Sequence, residues 1–337
     1  MQSVKQLLLI WLFAFALLLG SAYNLYLSYD AKDNPDVTTY MNIANGNFKD
    51  QSLTRRYRII VPFAAKVVSL PIEKVYAKLW KNRTENATIG ALKLGFLIVN
   101  LLIMASAGLA LYLVCRAYRI SVFGSLLGMI AVLCGGRWGN IFAALPLTDS
   151  FYFLILVLTI LGIKTRNEKL IAVCILFGFL AKESFVFVAP LIFFFASMKK
   201  WKQLILFGIS AVIVFAMRYK IDQIAGSAST ESLANDAKHF DNILTSIKRI
   251  LSVRGIGELA TVLGVFSFIL LAGFTKGKEA IKSWTSHIDL FLWCFIPVLI
   301  LHALLSEEVA RMLYFGGALW AVMIGLIWDK HPFFKSQ

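Results

Sequence analysis

Apolar segments separated by short polar islands occupy most of the 337-residue chain. Several islands are rich in Lys and Arg, and short basic loops of membrane proteins stay on the cytoplasmic side. Each apolar stretch between two basic islands is therefore expected to leave the cytoplasmic side and return to it. The basic islands contain Lys5 and residues 116–119, 164–169, 199–202, 276–282 and 330–335.

This alternation predicts helical hairpins, about ten membrane helices in all, with the N- and C-termini on the cytoplasmic side. The predicted hairpin arms are 6–27 with 92–114, 120–163 with a turn at 135–149, 170–198 with a turn at 182–183, 203–217 with 257–274, and 287–304 with 312–328. Two connections are long, a first extracytoplasmic loop at 28–91 and a second at 218–256. Residues 1–337 are thus predicted to form a single all-α polytopic membrane domain.

The composition excludes a soluble or disordered chain. Hydrophobic residues make up 59% and charged residues 16%, whereas soluble domains are about half apolar and about a quarter charged. The net charge of +15 would suggest nucleic-acid binding in a soluble protein. In a membrane protein it reports basic cytoplasmic loops, so no nucleic-acid partner is predicted. The four cysteines lie in apolar runs without CxxC pairing and predict neither a metal site nor redox chemistry.

Most remaining charges fall on the predicted outer side and come from different hairpins. Because hairpins of a compact bundle meet at their tips, we expect one shared polar cavity there. Ionisable residues within a membrane bundle are functional candidates, although a salt bridge that only ties helices together is the alternative. The outer charges include Asp30, Asp33, Asp36, Arg55, Arg56, Arg58, Arg137, Asp149, Lys182, Glu183, Glu307, Glu308 and Arg311.

The third hairpin places two of these charges deep. Each of its arms has about 14 residues, or roughly 21 Å of helix, against a bilayer core of about 30 Å. Lys182 and Glu183 are therefore predicted to lie below the outer surface, where charges need water or partners.

The first outer loop is the richest in candidate chemistry. Asp36 is a candidate general base, with cation binding and helix N-capping as alternatives. Its position before Tyr40 at helical spacing predicts an ordered helix start, which favours the ionised carboxylate. The arginines that follow match phosphate oxygens, or they anchor the loop to lipid nonspecifically. Residues 72–81 predict an interfacial amphipathic helix, and Pro62 and Pro71 predict that the segment divides into two short surface helices.

Several segments together resemble the GT-C superfamily of integral-membrane glycosyltransferases. An acidic segment follows the first helix, and further motifs follow in order on the predicted outer face. The segments are DVTTYMNIA at 36–44, Arg56 with RIIVP at 58–62, LPLTDS at 145–150, LAKES at 180–184 with Pro190 beyond, and EVAR at 308–311.

The resemblance implies transfer of a sugar from a polyprenyl-phosphate carrier to a glycan, lipid or protein acceptor outside the cytoplasm. It implies an aspartate base in the first outer loop, for which we choose Asp36. Some members use a divalent cation and others none. A bacterial inner (plasma) membrane is the expected location, with membrane lipids as partners. The candidate substrate-binding residues are Asp33, Tyr40, Arg55, Arg56, Arg58, Arg137, Asp149, Lys182, Glu183, Glu308 and Arg311.

Other classes of membrane protein remain open. A transporter or lipid-linked glycan flippase also contains buried charges, and it is typified by broken helices and a site near the middle of the membrane. A polysaccharide polymerase would use the same carrier lipid with two lipid-linked glycans. A noncatalytic assembly subunit would need none of the acidic residues.

Overall fold

The computed structural model describes residues 3–30, 34–49, 51–79, 86–226, 242–306 and 308–335. The structure is 83% helical, and no strand occurs in these ranges. The predicted all-α class is therefore confirmed.

Eighteen α-helices and two 3₁₀ helices are found in the described ranges. The first half contains α1 (Val4–Ser28), α2 (Pro35–Ala44), α3 (Leu53–Arg56), α4 (Ile60–Leu79), α5 (Ala87–Ala117), α6 (Val122–Cys134), α7 (Arg137–Ala144) and α8 (Asp149–Thr165). The second half contains α9 (Glu168–Ala181), a 3₁₀ helix (Glu183–Phe187), α10 (Ala189–Phe195), α11 (Lys200–Ala225), α12 (Asn242–Ile250), α13 (Val253–Leu263), a 3₁₀ helix (Gly264–Phe266), α14 (Ser267–Gly273), α15 (Gly277–Thr285), α16 (Leu290–Leu304), α17 (Val309–Tyr314) and α18 (Gly317–Lys330).

Within the part of the chain that the structure describes, four helical segments are long and apolar enough to cross a membrane, namely Val4–Ser28, Ala87–Ala117, Lys200–Ala225 and Val253–Gly273. The number rises to six if the bent pairs α6–α7 and α15–α16 each count as one span, with bends of 67° and 96°. By their length and composition, these apolar helices indicate a membrane protein. The count of ten is not confirmed, because several predicted arms are short or interrupted.

The interruptions have a physical cause at the junction of α6 and α7. Gly135 and Gly136 separate these helices, and the backbone of Gly264 lies directly against them. Gly264 has φ +50°, and a Cβ there would overlap the Gly135 carbonyl oxygen. Only glycine fits this approach without strain. The α6–α7 bend therefore packs against the break between α13 and α14.

The helix α4 differs from the two short helices predicted around Pro71. It is continuous over 20 residues with Pro71 inside it, so that prediction is wrong. A proline removes one backbone N–H, and packing can offset this loss. Here α4 lies antiparallel along α5, with Ala65 against Gly95 and Tyr76 against Gly90. Residues 80–81, at the end of the predicted interfacial helix, lie outside the described residues.

Five of the six predicted basic islands, all except the one at Lys5, meet at one end of the bundle, which we call the basic end. It comprises 116–121, 164–169, 197–202, 275–289 and 329–335. The contacts that join these segments are Lys164 Nζ to Asp289 Oδ2 (2.5 Å), Lys202 Nζ to Glu168 Oε2 (3.6 Å), Ser121 Oγ to Asp329 Oδ1 (2.7 Å) and His331 Nε2 to the Thr275 carbonyl (3.3 Å).

Candidate functional site

Helix ends hold the candidate residues at the opposite end of the bundle, which we call the site end. Asp149 is the first residue of α8, Lys182 directly follows α9, and Arg311 lies in the short helix α17. Since α8 leads to the basic end and α9 returns from it, both polar groups lie at the tips of helices.

Asp36 is held at the start of α2. Pro35 is the first residue of this helix, and the Asn34 side chain accepts a 2.8 Å hydrogen bond from the backbone N–H of Asp36. The N-cap is therefore Asn34, and the proposed capping role of Asp36 is wrong. The Asp36 carboxylate remains available for ion pairs, and the N-terminus of α2 favours its negative charge.

Six side chains form what we call the Arg311 cluster, namely Asp36, Arg55, Asp149, Lys182, Glu308 and Arg311. Arg55 Nε lies 2.6 Å from Asp36 Oδ1, and Arg311 Nη1 lies 3.1 Å from Asp36 Oδ2. Arg311 Nη2 binds Asp149 Oδ2, while Nη1 also binds Glu308 Oε2. Three cations thus meet three carboxylates from four separate segments of the chain.

The core of this cluster is buried. Asp149 is 1% exposed, Arg311 7% and Lys182 9%. Lys182 Nζ lies 3.5 Å from Asp149 Oδ1 and 4.7 Å from the centroid of the Phe315 ring. Buried charges are costly unless they are paired, and here each has an opposite partner.

Tyr40, Arg58, Glu183 and Arg218 form a second group. Arg58 donates to Glu183 Oε2 from Nη2 at 3.0 Å and to the Tyr40 hydroxyl at 3.1 Å. Arg218 Nη2 lies 3.7 Å from Glu183 Oε1. Burial raises the pKa of Tyr40, an effect that the positive charge of Arg58 opposes. Burial alone would lower the pKa of Arg58, but the combined attraction of Glu183, Tyr40 and Asp149 raises this pKa above its usual value.

Arg56 pairs elsewhere, with Asp222 near the end of α11. Arg56 Nη1 lies 3.3 Å from Asp222 Oδ1, and the Tyr57 hydroxyl donates to the same oxygen at 2.8 Å. Burial and this hydrogen bond raise the pKa of Tyr57 to about 12. Arg218 lies over the Tyr57 ring at 4.7 Å, so this pair adjoins the Arg58 group. The contacts fasten the first loop to α11.

The structure thus brings most predicted site residues to the site end, but not all. Arg137 is exposed, and its guanidinium lies 4.8 Å from the Trp138 ring centroid. Among the described residues it has no ion pair with the clusters. Asp33 and Glu307 lie outside the described residues.

Sequence reasoning missed Arg218 and Asp222, because the fourth hairpin arm was ended at residue 217 and the rest was assigned to a loop. Helix α11 continues to Ala225. The available signal was the spacing of four residues between these charges, which places both on one helical face.

A buried series of hydrogen-bonded side chains lies beside Lys182. Ser184 Oγ donates to the Tyr152 hydroxyl at 3.3 Å, and this hydroxyl lies 2.9 Å from His302 Nε2. His302 Nδ1 lies 2.8 Å from the Val298 carbonyl. A carbonyl only accepts, so Nδ1 carries the proton and Tyr152 donates to Nε2. The hydrogen bonds therefore all donate in one direction, from Ser184 through Tyr152 to His302.

The predicted shared cavity differs from what the structure contains. Most of the described charges that were expected to line it are instead paired with one another. A narrow cleft with a volume of only about 10 Å³ lies beside α2 and is lined by Tyr26, Tyr29, Val37, Lys93, Ala144, Leu145 and Pro146. In the described ranges, no group of three or more His, Cys, Asp and Glu side chains is arranged to hold a metal ion. The divalent cation stays a prediction.

The structure defines an all-helical protein with apolar helices long enough to cross a membrane and a buried ion-pair cluster at one end. No protein-family model, curated protein or solved structure matches the chain. Function is therefore argued from the geometry of the site end.

Proposed function

We propose that this chain is a membrane glycosyltransferase. It would move a sugar from a polyprenyl-phosphate carrier to an acceptor on the extracytoplasmic side of a bacterial plasma membrane. One observation carries the proposal: the Asp36 carboxylate is held between Arg55 and Arg311 beside further buried charges. A carboxylate base adjacent to guanidinium groups suits the transfer of a sugar from a phosphate.

The chemistry assigns each group a task. An acceptor hydroxyl oxygen bonds to the anomeric carbon as the bond from that carbon to the phosphate oxygen breaks. Asp36 accepts the hydroxyl proton. Arg55, Lys182 and Arg311 stabilise the negative charge left on the departing phosphate. Asp149 contacts both Lys182 and Arg311 and so orients them for this task.

The position of the charges supports an enzyme over a transporter. The clustered side chains lie at one end of the bundle, whereas transporter sites lie near the middle of the membrane. The basic end lies opposite and suits the cytoplasmic face, which supports an extracytoplasmic position for the site end.

A transporter or flippase of lipid-linked glycans, or a polymerase, is the second candidate. The bends of 67° between α6 and α7 and 96° between α15 and α16 favour the transporter, because broken helices are typical of that class.

The test supplies radiolabelled polyprenyl-phosphate sugars, one at a time, to membranes that contain the chain. We expect transfer from at least one donor, reduced about 10²–10⁴-fold in Asp36→Asn. Asp289→Asn, at the basic end, is the matched control and should transfer normally. Translocation of a labelled lipid-linked glycan in proteoliposomes without any transfer would support the transporter instead.

A further inference from the structure

The guanidinium of Arg311 divides its contacts between two sides. Nη2 binds Asp149, whereas Nη1 binds both Asp36 and Glu308. The remaining donor, Nε, is buried and has no hydrogen-bond partner among the described residues. Arg311 is therefore anchored on one side and presents donors on the other.

The two sides also differ in exposure. Asp149 is 1% exposed and is held by Lys182 as well. On the Nη1 side, the Glu308 side chain is 49% exposed, and Arg55, the other partner of Asp36, is 36% exposed. An anion arriving from outside would meet Arg55 and the Nη1 edge of Arg311 first.

We infer that Asp36 and Glu308 occupy a phosphate site formed by Arg55 and Arg311, and that an arriving phosphate ester or diphosphate displaces them. Guanidinium groups bind carboxylate and phosphate with the same geometry. The exchange of one anion for another leaves the buried Arg311 guanidinium paired throughout, so this cation is never left without an opposite charge. Asp149 keeps the guanidinium in place during the exchange.

This inference rests on the proposed function in one respect, the consequence for catalysis. While Asp36 binds both arginines, its oxygens are occupied and are poorly available to an acceptor hydroxyl. The donor phosphate releases Asp36 from these contacts, so the base becomes available only when the donor is bound.

If the Asp36 carboxylate competes with phosphate for the arginines, a variant that impairs catalysis should bind phosphate more tightly. Removing the charge of Asp36 should tighten phosphate binding, although it slows transfer. Coupling between two binding events in proteins commonly amounts to about 5- to 150-fold. We therefore expect Asp36→Asn to bind the anion at least about fivefold more tightly than the wild type.

The experiment measures binding of inorganic pyrophosphate and of geranyl phosphate to the purified full chain by calorimetry. Asp222→Asn is the matched control, because it removes one buried carboxylate charge at the same end from a different arginine. We expect tighter binding in Asp36→Asn, unchanged binding in Asp222→Asn and weaker binding in Arg55→Gln. Glu308→Gln removes a half-exposed competitor, so it should fold and show a smaller gain.

The outcomes separate the inference from the proposed function, since anion binding requires no sugar transfer. Equally tighter anion binding in Asp36→Asn and Asp222→Asn would mean that the loss of one negative charge explains the effect through long-range electrostatics alone. This result would overturn the inference. Unchanged or weaker binding in both Asp36→Asn and Glu308→Gln, or no binding by any variant, would also overturn it. Tightening without transfer from any donor supports the phosphate site and rejects the glycosyltransferase. Preference for geranyl phosphate over pyrophosphate identifies a lipid source of the phosphate, and equal binding identifies a soluble source.

Discussion

The two ends of the bundle use ion pairs in contrasting ways. At the basic end, Lys202 and Glu168 are each 44% exposed and lie 3.6 Å apart. At the site end, Asp149 and Arg311 pair while 1% and 7% exposed. Exposed pairs contribute about 0–1 kcal/mol because water screens them. Buried pairs require the removal of both charges from water, a cost that their attraction does not always recover.

This difference in burial indicates that the ion pairs at the site end are the ones with a function. Apolar side chains of similar volume often stabilise a protein as well as a buried ion pair does. Stability alone therefore gives little reason to place three cations and three carboxylates together in a largely apolar protein. The exposed pairs at the basic end are what solvated loops ordinarily carry, and they need no function.

Membrane topology gives the largest, all-or-none test of this contrast. We expect a cysteine at Lys49, on the site-end loop, to react with a membrane-impermeant maleimide in intact cells. A cysteine at Lys169, at the basic end, should react only after permeabilisation, because basic loops remain cytoplasmic. Both residues are exposed, and replacement of the four native cysteines removes background labelling. The reverse pattern would contradict the assigned orientation.

Loss of Arg311 should give the next largest effect. Arg311→Gln leaves Asp149 and Asp36 without their shared cation, and removal of one partner of a buried pair costs about 3–5 kcal/mol. Transfer should also fall about 10²–10³-fold. The measurements are thermal unfolding of the purified protein and the transfer assay.

The control for this prediction is Lys202→Gln at the basic end, which should cost about 0–1 kcal/mol. An Arg311→Gln protein as stable and as active as Lys202→Gln would mean that the two ends do not differ energetically, contrary to the comparison drawn from their burial.

The sequence predicted the helical class, because the apolar segments are long and charged islands interrupt them. It also selected Asp36, Asp149, Lys182 and Arg311, since charges in such a chain are few. Their pairing could not be predicted, because it depends on contacts between residues far apart in the chain. Asp36 and Arg311, for example, are separated by 275 positions.

One helix interruption was missed for another reason. The break at Gly135 falls where the turn at 135–149 was predicted, but the arm predicted at 257–274 was expected to be continuous and instead breaks at Gly264. This break depends on the close approach of Gly264 to Gly135, which lies in a distant segment. Likewise, Pro71 predicted a boundary that packing of α4 along α5 overrides.

The smallest effect is expected at Tyr57, which joins the first loop to α11. Tyr57→Phe removes the hydrogen bond to Asp222 and should cost about 1 kcal/mol at neutral pH. The pKa of Tyr57 is raised to about 12, above the usual value of about 10 in an unfolded chain. The folded state thus holds this proton more tightly, so the stabilisation is complete below pH about 10 and is lost as pH rises toward about 12. The difference in unfolding free energy between wild type and Tyr57→Phe should therefore shrink across that range, as measured by denaturant titrations at several pH values. A difference that stays constant from neutral pH to pH about 12 would mean that the Tyr57 proton does not contribute to this contact.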